Sequence, residues 1–225
     1  MRKLMLLVGA ALWTTVAAAA DPAHPTVVEL YQSQGCSSCP PADVVVNALA
    51  DRPDVLALSF AVTYWDRLGW KDTFGDPAYT KRQADYASAN RQFSVSTPEV
   101  IINGRGAVIG NRKGEVDAAI ARLDRGGQGP EIVSDGKSVV VRAGRGSATL
   151  WLVRYDPRTI AVPIGAGENS GRTIPHRNIV RQLVALGHWS GSIAHFNLPV
   201  SPRGLRTALI LQSGTGGPII ASRRI

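Results

Sequence analysis

Cysteine is nearly absent from this chain, whose 225 residues include only Cys36 and Cys39. A secreted scaffold held together by disulfides carries several cysteine pairs, so that class of protein is excluded. A disulfide across two intervening residues closes so small a loop that it removes little entropy from the unfolded chain. The pair therefore has little value as a structural cross-link, and we expect it to have a chemical role.

Long apolar runs are also scarce, and the one candidate lies at the amino terminus. Arg2 and Lys3 precede an apolar run over residues 4–16, which the alanines at 17–20 end. A basic start, an apolar run too short to cross a bilayer and an Ala-x-Ala site are typical of a secretory signal peptide. We therefore predict a signal peptide over residues 1–20, a periplasmic or secreted protein, and membrane association only through the uncleaved signal peptide.

Acidic residues are outnumbered, since 17 Asp and Glu stand against 25 Lys and Arg, a net charge of +8. Without Arg2 and Lys3 the count becomes 23 against 17, a net charge of +6. The arginines are scattered singly, and export would remove the usual nucleic-acid partner. We therefore expect no binding of nucleic acid.

Histidines are few, and their spacing is not that of a zinc site. They are His24, His176, His188 and His195. The glycine-rich stretch over residues 165–171 lacks the strand-then-helix context of a nucleotide-binding turn, and we interpret it as an ordinary loop. The sequence thus predicts neither a resident metal nor a cofactor.

The two cysteines lie between a strand-like run and a helix-like run. Residues 26–31 are rich in β-branched and apolar side chains, which predicts a buried strand. Two consecutive prolines after Cys39 suit the first turn of a helix that we expect to reach about residue 50. Residues 55–62 predict a second buried strand. The thiols would then lie at the carboxyl end of a strand and the amino end of a helix.

An aromatic segment over residues 64–74 follows the second strand. Trp65 and Trp70 are candidates for the walls of a cleft beside the cysteines, although aromatic stripes more often pack in a core. Asp76-Pro77 then predicts the N-cap and first residue of a helix that reaches about residue 90. This helix would be an insertion between the second and third strands.

A β-hairpin is predicted around the turn at residues 103–105, with Pro98 at the start of its first strand. A helix over residues 111–123 closes the first half. From about residue 128 the sequence changes to short strand-like runs typical of a β-sandwich. We therefore predict a first domain over residues 21–127 and a β-rich second domain over residues 128–225.

The first half resembles the thioredoxin fold over residues 26–124. The segments YQSQGCSSCPPAD, TYWDRLGWKDTF and STPEVIINGR are similar to those of a family of secreted bacterial thioredoxin-like proteins that is catalogued as a domain of unknown function. The resemblance implies an α/β thioredoxin-like domain, with a central mixed sheet, flanking helices and a helical insertion, followed by a β-rich, sandwich-like domain. It also implies that a cis Pro98 faces the CxxC and places the backbone of Thr97 beside Cys36 to pair with an extended substrate.

The sequence departs from the thioredoxin pattern at two places. Gly35 stands where thioredoxins have a tryptophan, and Ser37-Ser38 stand where oxidising relatives often have a histidine. Neither the reducing nor the oxidising signature is present, so the direction of any redox reaction stays open.

Thiol–disulfide exchange is the chemistry that this arrangement favours. Cys36 is the predicted nucleophile because we expect it at an exposed strand–helix junction, and Cys39 is the predicted resolving thiol. The amino end of a helix favours a thiolate at Cys36, whereas a carboxylate at Asp43 opposes it. The predicted partner is an extracytoplasmic protein that carries a thiol or a disulfide.

Two other functions remain open. Two thiolates suffice for linear coordination of Cu(I), so the chain could be a periplasmic copper carrier. It could instead be an interaction protein that acts through its β-rich domain, with no enzymatic role for the cysteines.

Overall fold

The structure is a computed structural model that describes residues 19–225. The predicted signal peptide therefore lies, apart from its last two alanines, outside the described residues. Within the described part of the chain, no helix is long and apolar enough to cross a membrane. The first half contains β1 (Thr26–Gln32), α1 (Pro40–Leu49), β2 (Val55–Ala61), α2 (Pro77–Ala89), β3 (Glu99–Ile102), β4 (Gly106–Ile109) and α3 (Lys113–Leu123). The second half contains β5 (Ile132–Ser134), β6 (Ser138–Val141), β7 (Ala148–Asp156), β8 (Ile160–Pro163), β9 (Thr173–His176), β10 (Ile179–Trp189), β11 (Ala194–Asn197), β12 (Arg206–Gln212) and β13 (Ile219–Arg224).

One eight-stranded sheet runs through both halves in the order β13-β12-β7-β10-β2-β1-β3-β4. β1 pairs with β2 in parallel and with β3 antiparallel, so β1 is buried along its whole length. The predicted strand, helix and strand around the cysteines are confirmed, as is the hairpin of β3 and β4. The protein is a mixed α/β fold with a large mixed sheet and few helices.

The predicted boundary near residue 127 does not coincide with an edge of this sheet. β10, which the sequence did not indicate, pairs with β7 and meets β2 where Ile179 lies opposite Ser59. Asn178 strengthens the junction, since its side chain donates to the carbonyl of Ala57 and its own carbonyl accepts from Ser59 N–H. A free edge of β2 would leave backbone groups unpaired. The second half therefore extends the sheet of the first.

The helices lie on opposite faces of the first half of the sheet. α1 and α3 pack Val46, Leu49 and Val116 against side chains of β1 and β3. α2 packs Tyr79 and Tyr86 on the other face, against Tyr31 and Phe60. α1 begins directly after Cys39 and has proline at its first two positions. Proline is tolerated there because the N–H groups of a first turn have no partner within the helix. This geometry fixes the cysteines at one end of the sheet.

α2 is attached to the sheet by a buried ion pair. The Arg82 guanidinium donates to both carboxylate oxygens of Glu29 on β1, and Nη2 lies 2.7 Å from Oε1. Arg82 also donates to Gln212 on β12 and lies over the ring of Trp151 on β7. The side chain of Arg82 is 5% exposed and that of Glu29 is 1% exposed. One residue of the inserted helix thus connects strands from both halves.

The second half has two smaller sheets. β11, β6 and β5 form a three-stranded sheet, and its buried side chains pack against β7 and β12. β8 and β9 form a separate hairpin whose apolar residues, Val162, Ile164 and Ile174, pack with Trp70 and Phe74 of the first half. This hairpin reaches the end of the sheet at which the cysteines lie.

Candidate functional site: a covered CxxC disulfide

The Cys36–Cys39 disulfide lies between the carboxyl end of β1 and the amino end of α1. The two Cα atoms are 5.4 Å apart, and Cys39 is the N-cap residue of α1. The N–H groups of Ala42 and Asp43 donate to the carbonyl of Cys39 and form the first turn. The hydroxyl oxygen of Ser38 lies 3.4 Å from the sulfur of Cys36. The predicted position of the pair is therefore confirmed.

The predicted exposure of Cys36 is wrong. Both cysteines are 0% exposed, although Ser37 and Ser38 between them are exposed. The loop between β8 and β9, in the second half of the chain, lies on this segment and forms hydrogen bonds to Gln34, Cys36 and Ser37.

We call residues 165–170 the cover loop. Asn169, which is 0% exposed, donates from its side-chain amide to the carbonyls of Gln34 and Cys36, at 2.9 Å each. The neighbouring carboxylate of Glu168 accepts from the backbone N–H of Ser37 at 3.1 Å. Arg172 donates to the side-chain oxygen of Asn169 at 2.7 Å and so orients its amide. The stretch interpreted from sequence as an ordinary loop thus binds the backbone around the cysteines.

The base of the same hairpin is attached to α1 by a second set of contacts. His176 Nδ1 lies 3.2 Å from Asp43 Oδ1, and both side chains are buried. The side-chain amide of Asn47, one turn later, donates to the carbonyl of Pro175. Because positions four apart lie on one face of a helix, these two contacts form a stripe along α1. The sequence gives no indication of this, since Asp43 and His176 are 133 residues apart.

The substrate-binding residues predicted from sequence lie around the disulfide. Trp65 donates from Nε1 to the hydroxyl of Thr97 at 2.8 Å, and its Cβ lies against Gly35. Trp70 donates from Nε1 to the side chain of Gln34 at 2.9 Å, and its ring lies beneath the cover loop. Both tryptophans are half-buried. They flank the CxxC loop, and Trp70 also lies against Gly165 and Gly167 of the cover loop.

Pro98 lies near the first turn of α1. The Thr97–Pro98 peptide bond is cis, and the carbonyl of Pro98 accepts from the N–H of Gly110 at 3.0 Å. A Cβ at Gly110 would lie 3.0 Å from the Cβ of Ala42, so this segment is in close contact with α1. Through Trp65 and Gly110, the structure brings Thr97 and Pro98 to the side of the CxxC loop.

The carboxyl groups around the site differ in their environments. Burial raises the pKa of Asp43, and the hydrogen bond to His176 offsets part of this effect. Burial also raises the pKa of Asp72, whose carboxylate accepts from the backbone N–H of Gln34. Hydrogen bonding by Ser37 lowers the pKa of Glu168, which is exposed. The carboxylate of Glu168 on the cover loop therefore stays ionised, whereas ionisation of the buried Asp43 and Asp72 is disfavoured.

Metal ligands are not grouped at the site. Within residues 19–225, no three His, Cys, Asp or Glu side chains are placed to hold an ion. Of the four histidines, His176 lies against Asp43. The chemical groups of the site are thus two sulfurs, a hydroxyl and the amino end of a helix.

These features define a mixed α/β protein with a CxxC disulfide beneath a loop. The chain belongs to the family DUF1223, described as a protein of unknown function, whose model matches residues 27–212. No curated protein matches it. The crystal structure of protein AGR_C_4864 from Agrobacterium tumefaciens is similar, with 29% identity and a TM-score of 0.73, over 93% of this chain and 96% of that chain. HBP35 of Porphyromonas gingivalis is similar in fold, with 10% identity and a TM-score of 0.57, over 92% of this chain and 76% of that one.

Proposed function

We propose that this protein is an exported thiol–disulfide oxidoreductase that exchanges the Cys36–Cys39 disulfide with an extracytoplasmic protein. The observation that carries the proposal is the position of the pair at the amino end of α1. A helix amino end carries about half a positive charge and lowers the pKa of a thiol placed there. Such a pair closes too small a loop to stabilise the fold appreciably. A reactive role therefore explains the presence of the cysteine pair better than a structural role does.

The architecture supports the same proposal. We assign a thioredoxin-like arrangement to residues 26–124, with Thr97 and Pro98 beside the CxxC loop as the segment that receives an extended substrate. The strands of residues 128–225 extend the sheet and supply the cover loop. Trp65 and Trp70 would contact the substrate once the cover loop is displaced.

The exchange begins when a thiolate of the substrate attacks the sulfur of Cys36. The bond between Cys36 and Cys39 breaks, and Cys39 leaves as a thiolate that takes up a proton. A second thiolate of the substrate attacks the substrate sulfur of the mixed disulfide and releases Cys36. The substrate loses two electrons and two protons, and the pair gains both. The reverse reaction, from the reduced pair, reduces a substrate disulfide and requires a dithiol protein to restore it.

Cys36 is the sulfur that we assign as nucleophile in the reducing direction. The hydroxyl of Ser38, 3.4 Å away, can donate to its thiolate, and the exposed Ser37-Ser38 segment lies directly beside it. Cys39 is held at the N-cap of α1 and resolves the mixed disulfide. A secreted or periplasmic location, reached through the signal peptide proposed for residues 1–20, suits a protein with an exchangeable disulfide.

Trapping of mixed disulfides tests this assignment. In full-length protein, Cys36→Ser is expected to abolish exchange with reduced or oxidised insulin, because no sulfur then forms the mixed disulfide. Cys39→Ser is expected to accumulate a covalent Cys36–substrate adduct, visible on a non-reducing gel and lost on reduction. Ser38→Ala, which keeps both sulfurs, is the matched control and is expected to retain exchange at a reduced rate.

Two results would overturn the proposal. One is insulin exchange by Cys36→Ser at the wild-type rate. The other is the absence of any adduct with Cys39→Ser when the variant is folded and its remaining thiol reacts with a small alkylating reagent.

A further inference from the structure

The cover loop is attached to the CxxC segment by hydrogen bonds, and it also lies against Trp70. Asn169 supplies the two hydrogen bonds to Gln34 and Cys36, and Glu168 supplies one to Ser37. Gly165, Glu168 and Ser170 are exposed, so only Asn169 of this group is buried. Each such hydrogen bond adds only modestly to stability, since water replaces it when it breaks. The loop can therefore detach at a cost well below that of unfolding.

The rest of the hairpin is attached independently of the loop. Backbone hydrogen bonds between Ile164 and the pair Gly171-Arg172 continue the ladder of β8 and β9 to the edge of the cover loop. Ile164 packs with Val162 and Ile174, and His176 holds the base to α1. Only residues 165–170 lie beyond this attachment. The structure thus separates a fixed base from a six-residue tip.

The tip has the backbone freedom that such a movement requires. Gly167 and Gly171 have positive φ angles of 73° and 80°, a region that residues with a side chain rarely adopt. A Cβ at Gly165 would lie 3.0 Å from the ring of Trp70, so glycine allows the loop to lie close on this ring. These glycines flank or lie within the tip, where a change of φ and ψ would lift it.

The cover loop lies on the segment that a substrate would have to approach. Attack on a disulfide requires the incoming sulfur to approach along the S–S axis, which a fully buried pair does not allow. Asn169 and Glu168 bind the carbonyls of Gln34 and Cys36 and the N–H of Ser37, so the cover loop lies on the backbone that a polypeptide would approach to reach the sulfur of Cys36. The loop and a polypeptide substrate therefore exclude each other.

We infer that residues 165–170 form an autoinhibitory cover that opens locally to expose the disulfide, with Asn169 as the residue that holds it closed. This inference rests on the proposed exchange function only for its biological purpose, since opening can be measured without a protein substrate. Asn169 is a positioning residue in this scheme, because it bonds the backbone and not the sulfurs. Arg172 supports it by fixing the orientation of its amide.

The rate of reduction of the disulfide by dithiothreitol in the folded full-length protein tests the inference. Dithiothreitol transfers two electrons and two protons to the pair and is itself oxidised to the cyclic disulfide. Asn169→Ala is expected to increase the rate by about tenfold or more, because two hydrogen bonds that close the loop are lost. Arg172→Ala is expected to give a smaller increase of about threefold. Ser170→Ala, whose hydroxyl bonds only Gly165 within the loop, is the matched control and should stay within about twofold of wild type.

The variants must be compared while folded. Far-UV circular dichroism and urea unfolding establish this, and Arg172→Ala, altered at an exposed position, serves if Asn169→Ala does not fold. Equal rates in wild type, Arg172→Ala and any folded Asn169→Ala would overturn the inference. Faster reduction in these variants, with no insulin exchange by any form, would keep the cover and overturn the proposed function. Insulin exchange, together with equal rates of reduction in all variants, would keep the proposed function and overturn the cover.

Discussion

Two contacts between the halves of the chain differ in how they are held. At the Arg82 contact, the guanidinium bonds the buried Glu29 and Gln212 and lies over the half-buried ring of Trp151. At the cover loop, Asn169 is buried but its neighbours Glu168 and Ser170 are exposed. Arg82 loses its partners only if α2 leaves the sheet. Asn169 loses its partners when six residues move. The same two halves are therefore joined permanently at one place and reversibly at the other.

This difference accounts for the burial of a pair that we propose to be reactive. A disulfide buried under packed helices would be reached only by unfolding. A disulfide under a polar, glycine-containing loop is reached by local opening, which has its own, lower free energy. The Cys36–Cys39 disulfide lies under the reversible contact, so we interpret it as a protected reactive disulfide and not as a structural one.

The largest effect is expected at the Arg82 contact. Arg82→Met leaves Glu29 buried without a cation, and removal of one partner from a buried pair costs about 3–5 kcal/mol. Urea unfolding should show this loss in the free energy of unfolding. Lys81→Met is the matched control on the same helix, because its bridge to Asp85 is largely exposed and worth less than about 1 kcal/mol. Equal losses in the two variants would contradict the assignment of the Arg82 contact as a permanent attachment of α2 to the sheet.

A smaller effect concerns the attachment of the hairpin base to α1. The folded-state pKa of Asp43 is raised by burial, so the carboxylate costs stability once the pH exceeds its unfolded value near 3.8. This cost grows as the pH rises through the folded-state pKa and is constant above it. Asp43→Asn removes the cost and can keep a hydrogen bond to His176. The stability of Asp43→Asn relative to wild type should therefore increase with pH.

Urea unfolding at pH 4, 5 and 6 measures this dependence. Asp51→Asn is a useful control, since the exposed bridge to Arg177 lowers the pKa of Asp51. Its relative stability should change with pH in the opposite direction, because a carboxyl with a lowered pKa contributes stability above its unfolded value. A difference between Asp43→Asn and wild type that falls as the pH rises would contradict the effect of burial.

The local signals of the sequence predicted the first half well. The β-branched run before the cysteines, the two prolines after them and the Asn103-Gly104 turn each determine local structure by their own conformational preferences. They place Cys36 and Cys39 at the junction of β1 and α1, as the structure does. These elements are specified by neighbours in sequence, so no tertiary information was needed.

The second half was predicted less completely because its important contacts are not local. β10 has two register irregularities, one between Val180 and Gln182 and one between Ala185 and Gly187. They interrupt the alternation of buried and exposed residues, so the sequence shows no strand period there, and without β10 it predicts two separate domains. Asn169 bonds residues more than 130 positions away, which no pattern around it indicates. The sequence feature that marks this region is a glycine-rich loop between two short strands, and it does not indicate which part of the chain the loop contacts.

The measurement that tests the account most directly is the rate at which dithiothreitol reduces the Cys36–Cys39 disulfide of wild-type protein at urea concentrations below the unfolding transition. We predict a rate that changes little with urea and exceeds the rate allowed by global unfolding, because opening of residues 165–170 exposes little surface. A rate that rises with urea along the full slope of global unfolding would contradict the account, since the disulfide would then be reached only in the unfolded chain.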